Sequence, residues 1–305
     1  MHFEAYETVF EYLRAGLQYN YRNYELYLLL GNYYERENLR QARLCYENAL
    51  LYCGDSGTDA ELIREFIDNL PVDESAVRKT SIVILSYNKY ELTKKCIDSI
   101  RKYNSKEDYE IVIVDNASDN ETKEWLGRIE EQGEYGRLKI LYNAENKGFP
   151  VGCNQGIEIA DRENDIFLLN SDAILMPNSL FFLRMGLYAN DAVGATGSVS
   201  NNVGNGQRVL PYEASYEDCC QYSMKSNVPN ISAYEELSYL VGFAMLINRK
   251  ALNEIGLLDP IFSPGQFEDT DYGMRLNVGG YKTLLCVNSF IYHLGNSGDK
   301  SRWID

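Results

Sequence analysis

The sequence predicts an α/β protein in which a mostly parallel central sheet follows a small all-helical region. Three runs of apolar, largely β-branched residues indicate the sheet, and each ends on polar side chains: 82–85, 111–114 and 166–169. Such runs between amphipathic stretches are typical of parallel strands covered on both faces. Earlier in the chain, apolar residues recur at helical spacing instead. We therefore predict a helical region over residues 1–74 and an α/β domain over residues 75–305.

The helical region combines small and large residues at the spacing of a packed helix pair. Gly31, Ala42 and Tyr46 carry this pattern, which resembles a tetratricopeptide repeat, although the interval from Gly31 to Ala42 is one residue short. One repeat needs neighbours to bury its faces, so we expect further helices near 6–18 and 59–69. An ordinary helical hairpin without a partner is the alternative. A proline-led segment, 71–75, is predicted to be a linker.

The α/β domain is expected to alternate strands and helices. The predicted strands are 81–87, 109–115, 138–142, 165–170, 192–197, 238–247 and 282–287. The predicted helices are 90–103, 120–132, 151–161, 177–188, 249–255 and 269–279. Residues 198–236 are predicted to form a long loop, and loops of that length are usually functional or mobile.

Charge and cysteine content exclude several classes of protein. The 305 residues carry a formal net charge of −16, which argues against binding nucleic acid through its phosphates. Seven cysteines, an odd number without a CxxC pair, favour a reduced compartment. The first residues do not resemble a secretory signal, and the longest apolar stretch is too short to cross a bilayer. We expect a cytoplasmic protein without a transmembrane segment.

Polar residues follow the predicted strands at the end where α/β proteins bind ligands. Tyr87, Asp115 and Asp172 each stand at or just after a strand end, so they are expected to share one edge and one crevice. A lone aspartate there could instead cap a helix, and this reading stays open for Asp115.

The segment Asn170-Ser171-Asp172 has the chemistry of a divalent-cation site. One carboxylate flanked by amide and hydroxyl oxygens suits a hard cation that also takes phosphate oxygens. His293 could complete such a site with Asp172. The alternatives are a turn in which Asp172 caps the next helix and a structural role for the histidine.

Two further segments have features of a binding or catalytic site. Glu268, Asp269 and Asp271 place three carboxylates within four residues, which would raise the pKa of at least one in an enclosed site, as a general base requires. An acidic helix N-terminus is the alternative, above all for Asp271. The glycine-rich turn 146–156 leads into a helix and could approach an anion, but it matches neither a Walker loop nor GxGxxG.

Taken in order, these segments resemble family-2 glycosyltransferases of the GT-A fold. The resemblance covers about residues 80–298 and is most similar to the rhamnosyltransferase-like branch, where the metal motif often begins with Asn. It rests on these positions: 81–88, 113–119, 146–149 with 152–156, 169–172, 242–245, 267–271 and His293.

The resemblance implies inverting, hexosyltransferase-type transfer from a UDP-sugar or dTDP-sugar to a hydroxyl group on a glycan or protein, with Mn²⁺ or Mg²⁺. It places Tyr87 on the nucleotide base, Asp115 on the base or ribose, and Asp172 on the metal and diphosphate, with His293 as a further ligand. Asp269 would deprotonate the acceptor, with Glu268 in reserve. The other donor-binding positions would be Ser86, Asn88, Asn146, Lys147, Gly148, Asn154, Asn170 and Ser171.

Other functions compete with this interpretation. A sugar nucleotidyltransferase would need a glycine- and arginine-rich loop after the first strand, where Ser86-Tyr87-Asn88 stands instead. A glycosidase would need two carboxylates but no nucleotide crevice. A non-catalytic nucleotide-sugar-binding module is the third alternative, and the presence of Asp115, Asp172 and Asp269 together argues against it. The helical region is expected to recruit the acceptor or to form a homo-oligomer, because every site motif lies after residue 80.

Overall fold

The computed structural model describes residues 2–295 except residues 55 and 134, with side chains from Thr8 onward. Residues 296–305 of the predicted second domain lie outside the described residues. The helical region contains α1 (His2–Tyr19), α2 (Tyr24–Tyr34), α3 (Leu39–Cys53), α4 (Thr58–Asn69) and the short α5 (Val72–Ser75). The helices expected near 6–18 and 59–69 are therefore present, whereas the linker predicted at 71–75 is largely helical.

Asparagines and one glycine explain the geometry of α2 and α3. Asn23 accepts a hydrogen bond from the Glu25 N–H, and Asn38 caps α3 in the same way. A Cβ at Gly31 would lie 2.3 Å from the Tyr46 ring, so only glycine allows the two helices to approach this closely. The small and large pair found in the sequence is therefore a helix-packing contact.

The α/β domain follows from Thr80. Its strands are β1 (Thr80–Ser86), β2 (Tyr109–Asp115), β3 (Leu138–Tyr142), β4 (Asp165–Leu169), β5 (Ala173–Ile174), β6 (Val193–Val199), β7 (Tyr234–Leu237), β8 (Ala244–Ile247), β9 (Lys282–Phe290) and β10 (Tyr292–His293). Its helices are α6 (Tyr90–Tyr103), α7 (Asn120–Gln132), α8 (Phe149–Ile159), α9 (Ser179–Leu187), α10 (Tyr216–Ser226), α11 (Arg249–Ile255) and α12 (Glu268–Val278).

Eight strands form the central sheet in the order β3-β2-β1-β4-β8-β6-β9-β7. The strands β8 and β7 run antiparallel to their neighbours and the others share one direction. A separate two-stranded sheet pairs β5 with β10. The predicted α/β class, with a mostly parallel sheet after a helical region, is confirmed.

Two predictions within the α/β domain were wrong. The long loop predicted at 198–236 contains α10, which a Ser215 capping box begins, and the edge strand β7. The strand predicted at 238–247 is formed only by β8. Before β8 the chain leaves the sheet at Gly242, whose N–H donates to the Asp269 carboxylate, whereas the Phe243 carbonyl still accepts from the Asn170 N–H after β4.

The helical region packs on α9 and shares its core with the sheet domain. Tyr27 is fully buried, its ring lies edge-on to Phe181, and its hydroxyl donates to Asn178 Oδ1 at 3.0 Å. Gln41 Nε2 donates to the Met185 carbonyl at 2.8 Å. The apolar faces of α2 and α3 are thus covered from within the chain. The division at residues 74 and 75 stays a prediction. No helix in the described part of the chain is long and apolar enough to cross a membrane.

Candidate active site

The first two strands end side by side, because the register pairs Ser86 with Asp115. Asp115 is fully buried and accepts from the Ser118 N–H at 3.3 Å. Asn88 fastens the two loops together: its N–H donates to Ser118 Oγ, and its side-chain oxygen accepts from the Asp119 N–H. Tyr87 is half-buried beside them. The structure therefore brings Ser86, Tyr87, Asn88 and Asp115 to one edge. The crevice that Tyr87 and Asp115 are expected to share with Asp172 stays a prediction.

A network of side-chain amides continues this edge toward α8. Asn116 Nδ2 donates to Asn146 Oδ1 at 2.8 Å, and Asn116 Oδ1 accepts from the Lys147 N–H at 2.9 Å. Asn143 donates to Asn116 Oδ1 and also pairs with Gln155. No role for Asn116, Asn143 or Gln155 was predicted from the sequence. Only the density of asparagine in this segment could have indicated the network.

The glycine-rich turn is held by the segment before α12. Gly148 has φ +80°, and a Cβ there would lie 2.6 Å from the Pro264 Cα, so glycine is required for this approach. The Phe149 N–H donates to the Pro264 carbonyl at 2.7 Å. Lys147 is exposed and pairs with Glu145.

Asn154 is placed differently from the other predicted donor-binding residues. Its side chain is buried, and both ends of its amide group bind the backbone of Leu258. The amide nitrogen donates to the carbonyl at 2.7 Å, and the amide oxygen accepts from the N–H at 3.1 Å. The donor-binding role of Asn154 stays a prediction, and this occupied side chain counts against it.

Asp172 and His293 meet because β5 and β10 are paired. The distance from His293 Nε2 to Asp172 Oδ1 is 3.2 Å, and Asn170 Nδ2 lies 3.3 Å from the same nitrogen. His293 Nδ1 lies 2.6 Å from the Asn202 carbonyl, which can only accept, so Nδ1 carries a proton. In the neutral ring the Nε2 lone pair therefore faces a carboxylate oxygen. A second proton or a cation would make this contact favourable.

These residues fit a divalent cation. A histidine oriented by a backbone carbonyl and placed beside a buried carboxylate is a common arrangement in metal sites. The Phe243 ring stacks on the imidazole with centroids 4.9 Å apart and fixes its plane. Among the described residues no group of three or more His, Cys, Asp or Glu side chains could hold a metal. Asp172 and His293 would therefore share the ion with ligand oxygens or water.

A cavity of about 530 Å³ borders Asp172 between α6 and the small sheet. Lys95 and Ser99 line one wall, and Ile174 and Tyr292 line the other. This volume is within the range of small-molecule sites, so a sugar-sized group would fit beside the carboxylate. Tyr87 and Asp115 do not line this cavity.

Glu268 and Asp269 begin α12 but occupy different surroundings. Asp269 is half-buried, with one oxygen 3.1 Å from the Gly242 nitrogen and the other 2.7 Å from the Thr270 nitrogen. Glu268 is buried, and its Oε2 has no hydrogen-bond partner among the described residues. Burial raises the pKa of Glu268, and the charge of Asp269 raises it further. Asp271 pairs with Arg275, as expected for an acidic first helical turn.

Comparison with solved structures shows the fold. GalNAc-T7 with UDP, GalNAc and Mn²⁺ matches with a TM-score of 0.56 and 16% identity, over 74% of this chain and 48% of that one. The mannosyltransferase PcManGT from Pyrobaculum calidifontis, in complex with GDP-Man and Mn²⁺, matches with a TM-score of 0.56 and 16% identity, over 87% and 71%. Both neighbours are GT-A glycosyltransferases.

Curated relatives match shorter stretches. A poly(ribitol-phosphate) beta-glucosyltransferase from Bacillus spizizenii is 34% identical over 98 residues, which are 32% of this chain and 15% of that protein. Glycosyltransferase AglE from Haloferax volcanii is 34% identical over 79 residues, covering 26% and 25%. The chain thus spans a quarter or less of the length of these relatives. The model of glycosyl transferase family 2 matches residues 81–256, more than half of the sequence, and the chain belongs to that family.

Proposed function

We propose that this protein transfers a hexosyl group from a nucleoside-diphosphate sugar to an acceptor hydroxyl, with inversion at the transferred carbon. One observation carries the proposal. The consecutive residues Gly242 and Phe243 tie Asp269 to Asp172 and His293: Gly242 binds Asp269, and Phe243 stacks on His293 and binds the Asn170 N–H. These contacts support the proposal that the base for the acceptor and the site for the leaving diphosphate form one active site.

The donor would lie along the ends of β1, β2 and β4. Tyr87 and Asp115 would hold the nucleoside, and Asp172 with His293 would hold Mn²⁺ or Mg²⁺. The bound cation would neutralise charge that develops on the diphosphate. Uracil and thymine remain the expected bases. The support from other proteins is that two neighbours of the same fold carry Mn²⁺ with a nucleotide or a nucleotide sugar.

Asp269 is the residue proposed to deprotonate the acceptor. Hydrogen bonds from two backbone N–H groups fix its carboxylate, and the group is more accessible than Glu268. The acceptor oxygen would attack the anomeric carbon as the bond to the diphosphate breaks, and its proton would pass to Asp269. Attack from the face opposite the diphosphate gives inversion.

A panel of sugar nucleotides incubated with the protein and Mn²⁺ tests this function, with release of nucleoside diphosphate as the readout. We expect one donor to be consumed, slowly with water and faster with added glycosides. A binding module would bind a donor without consuming it. A nucleotidyltransferase would instead release pyrophosphate from a nucleoside triphosphate and a sugar 1-phosphate. Either result, or no turnover of any donor, would contradict the proposal.

A further inference from the structure

Phe267, directly before Glu268 and Asp269, has an unfavourable backbone conformation. Its φ is +69°, in the left-handed region, which is unfavourable for a residue with a Cβ. The other described non-glycine residues with positive φ are Asn88, Lys89, Ala117, Asn178 and Asn205. Asparagine tolerates this region, but a bulky aromatic residue there is an outlier.

The position itself does not require an aromatic side chain. Phe267 is the N-cap of α12, and its side chain makes no capping hydrogen bond. Glycine or asparagine would adopt the same φ at lower cost, and asparagine could also cap the helix. The neighbouring backbone is fixed, since the Phe149 N–H donates to the Pro264 carbonyl and the Asp271 N–H donates to the Phe267 carbonyl. The ring therefore needs a reason other than backbone geometry.

The ring is available to a ligand. Phe267 is 66% exposed, and no aromatic ring among the described residues stacks on it. It immediately precedes the carboxylates at the start of α12. Strain that persists at such a place is characteristic of functional sites.

We propose that Phe267 is the platform on which an acceptor saccharide stacks, which extends the proposed function by naming the acceptor class. A pyranose ring has an apolar C–H face beside its hydroxyl groups. Phe267 would take the apolar face, and Asp269, two residues later, would take the reacting hydroxyl. A serine or threonine side chain has no such face, so the pair of residues favours a saccharide over a peptide.

The test measures diphosphate release from the donor that the wild-type protein consumes, with methyl pyranosides of several hexoses as the acceptor probes. We expect at least one glycoside to accelerate release. Phe267→Ala should lower kcat/KM for that glycoside about tenfold or more, a larger loss than in the rate of hydrolysis by water. Phe267→Trp should retain most of the acceleration. Ile261→Ala is the matched control, because Ile261 is 79% exposed on the same connection and should have no effect.

Thermal unfolding separates a binding role from a structural one. Phe267→Asn should have a Tm equal to or above that of the wild type, because it relieves the strained φ, and should still lose glycoside acceleration. A ring that merely stabilises the fold would give the opposite result, a lower Tm with unchanged acceleration.

Several outcomes would overturn the proposal. Equal glycoside acceleration of the wild type and Phe267→Ala would show that the ring does not bind the acceptor. If Ser- or Thr-containing peptides but no glycoside accelerated diphosphate release, the proposed acceptor class would be wrong. It would also be wrong if neither peptides nor glycosides accelerated release. Failure of the proposed function is distinct, since it would appear as no consumption of any donor. In that case the tryptophan fluorescence of Phe267→Trp is titrated with the same glycosides. If the fluorescence does not change, the proposal that residue 267 binds the acceptor is rejected as well.

Discussion

The helical layer on α9 and the carboxyl edge of the sheet use their polar side chains in different ways. In the helical layer that packs on α9, Gln41 and Asn38 donate to backbone carbonyls. The hydroxyl groups of Tyr27 and Tyr52 both donate to Asn178 Oδ1. At the edge, His293 Nε2 lies 3.2 Å from Asp172 Oδ1, and Glu268 keeps a buried oxygen without a partner among the described residues. The first surface pairs these side chains within the chain, although Asn48 Nδ2 and Arg184 Nε there also lack a hydrogen-bond partner among the described residues. The second surface collects the polar groups that are proposed to bind the ligand.

Backbone strain follows the same division. Within the described chain, Lys89 and Ala117 have positive φ in the loops after β1 and β2, and Phe267 has positive φ before α12. None of these residues gains from that conformation as asparagine or glycine would. The fold therefore has unfavourable backbone conformations at the loops where the donor and acceptor are proposed to bind. Changes at the edge should alter activity, and changes in the helical layer should alter stability.

The largest expected effect is that of Asp269→Asn. Removing the base should lower transfer about a thousandfold, while affinity for nucleoside diphosphate changes less than about tenfold, because the base acts on the acceptor. Diphosphate release and calorimetric titration measure the two quantities. Asp271→Asn is the matched control from the same helical turn, and full activity of Asp269→Asn with loss in Glu268→Gln would move the base by one residue.

Tyr27→Ala tests the helical layer. Loss of a fully buried aromatic ring and of its hydrogen bond to Asn178 should lower stability by about 3 kcal/mol and Tm by about 5–10 °C. Turnover measured at a temperature well below the new Tm should stay within about twofold of the wild-type value. Leu29→Ala on the same helix is the control, since Leu29 is 55% exposed. Lost turnover in a protein that is still folded would show that the helical layer also serves the site.

Asp172→Asn should lower turnover about a hundredfold, because loss of a ligand or its orienting partner weakens metal sites by 10- to 100-fold. His293→Gln should lower it less and raise the Mn²⁺ concentration needed for half-maximal rate. Turnover measured across a Mn²⁺ titration, with chelator as the zero point, provides both values. A wild-type rate that is insensitive to chelator would contradict the metal assignment.

Glu268→Gln should change the pH dependence of stability by a small amount. Because the pKa of Glu268 is raised in the folded protein, the stability from its protonated form is present below the unfolded pKa, near 4.3. It is lost as pH rises through the folded pKa. The glutamine variant escapes that loss, so its Tm should exceed that of the wild type near pH 7 by about 2 °C and match it near pH 4. Equal differences at both pH values would refute this.

Much of the fold was predictable because the strands are local signals. Each apolar run is a buried strand, and the polar residues at its end, such as Asp115 and Asp172, lie where the parallel arrangement requires. The boundary of β8 was not predictable, because it depends on Gly242 reaching Asp269 across the sequence. The helix α10 was missed because its amphipathic pattern is short and lies among turn-forming residues.

At the candidate site, the sequence indicated individual residues but not the contacts between them. The sequence indicated Asp172 and His293, yet the carbonyl of Asn202, which fixes the imidazole, carries no side-chain signal. The position of Phe243 beneath the ring depends on tertiary structure in the same way. The strain at Phe267 is invisible in the sequence, because its φ follows from how α12 is joined to the turn at Pro264.

Calorimetric titration of UDP, dTDP and GDP into the wild-type protein, with and without Mn²⁺, tests whether the carboxyl edge of the sheet binds a nucleoside diphosphate. We predict that a uridine or thymidine diphosphate binds with micromolar affinity in Mn²⁺, that chelator weakens this binding, and that Asp172→Asn weakens it while Asp271→Asn does not. If none of the three nucleotides binds in the presence of Mn²⁺, the carboxyl edge of the sheet is not a nucleoside-diphosphate site and the account is wrong.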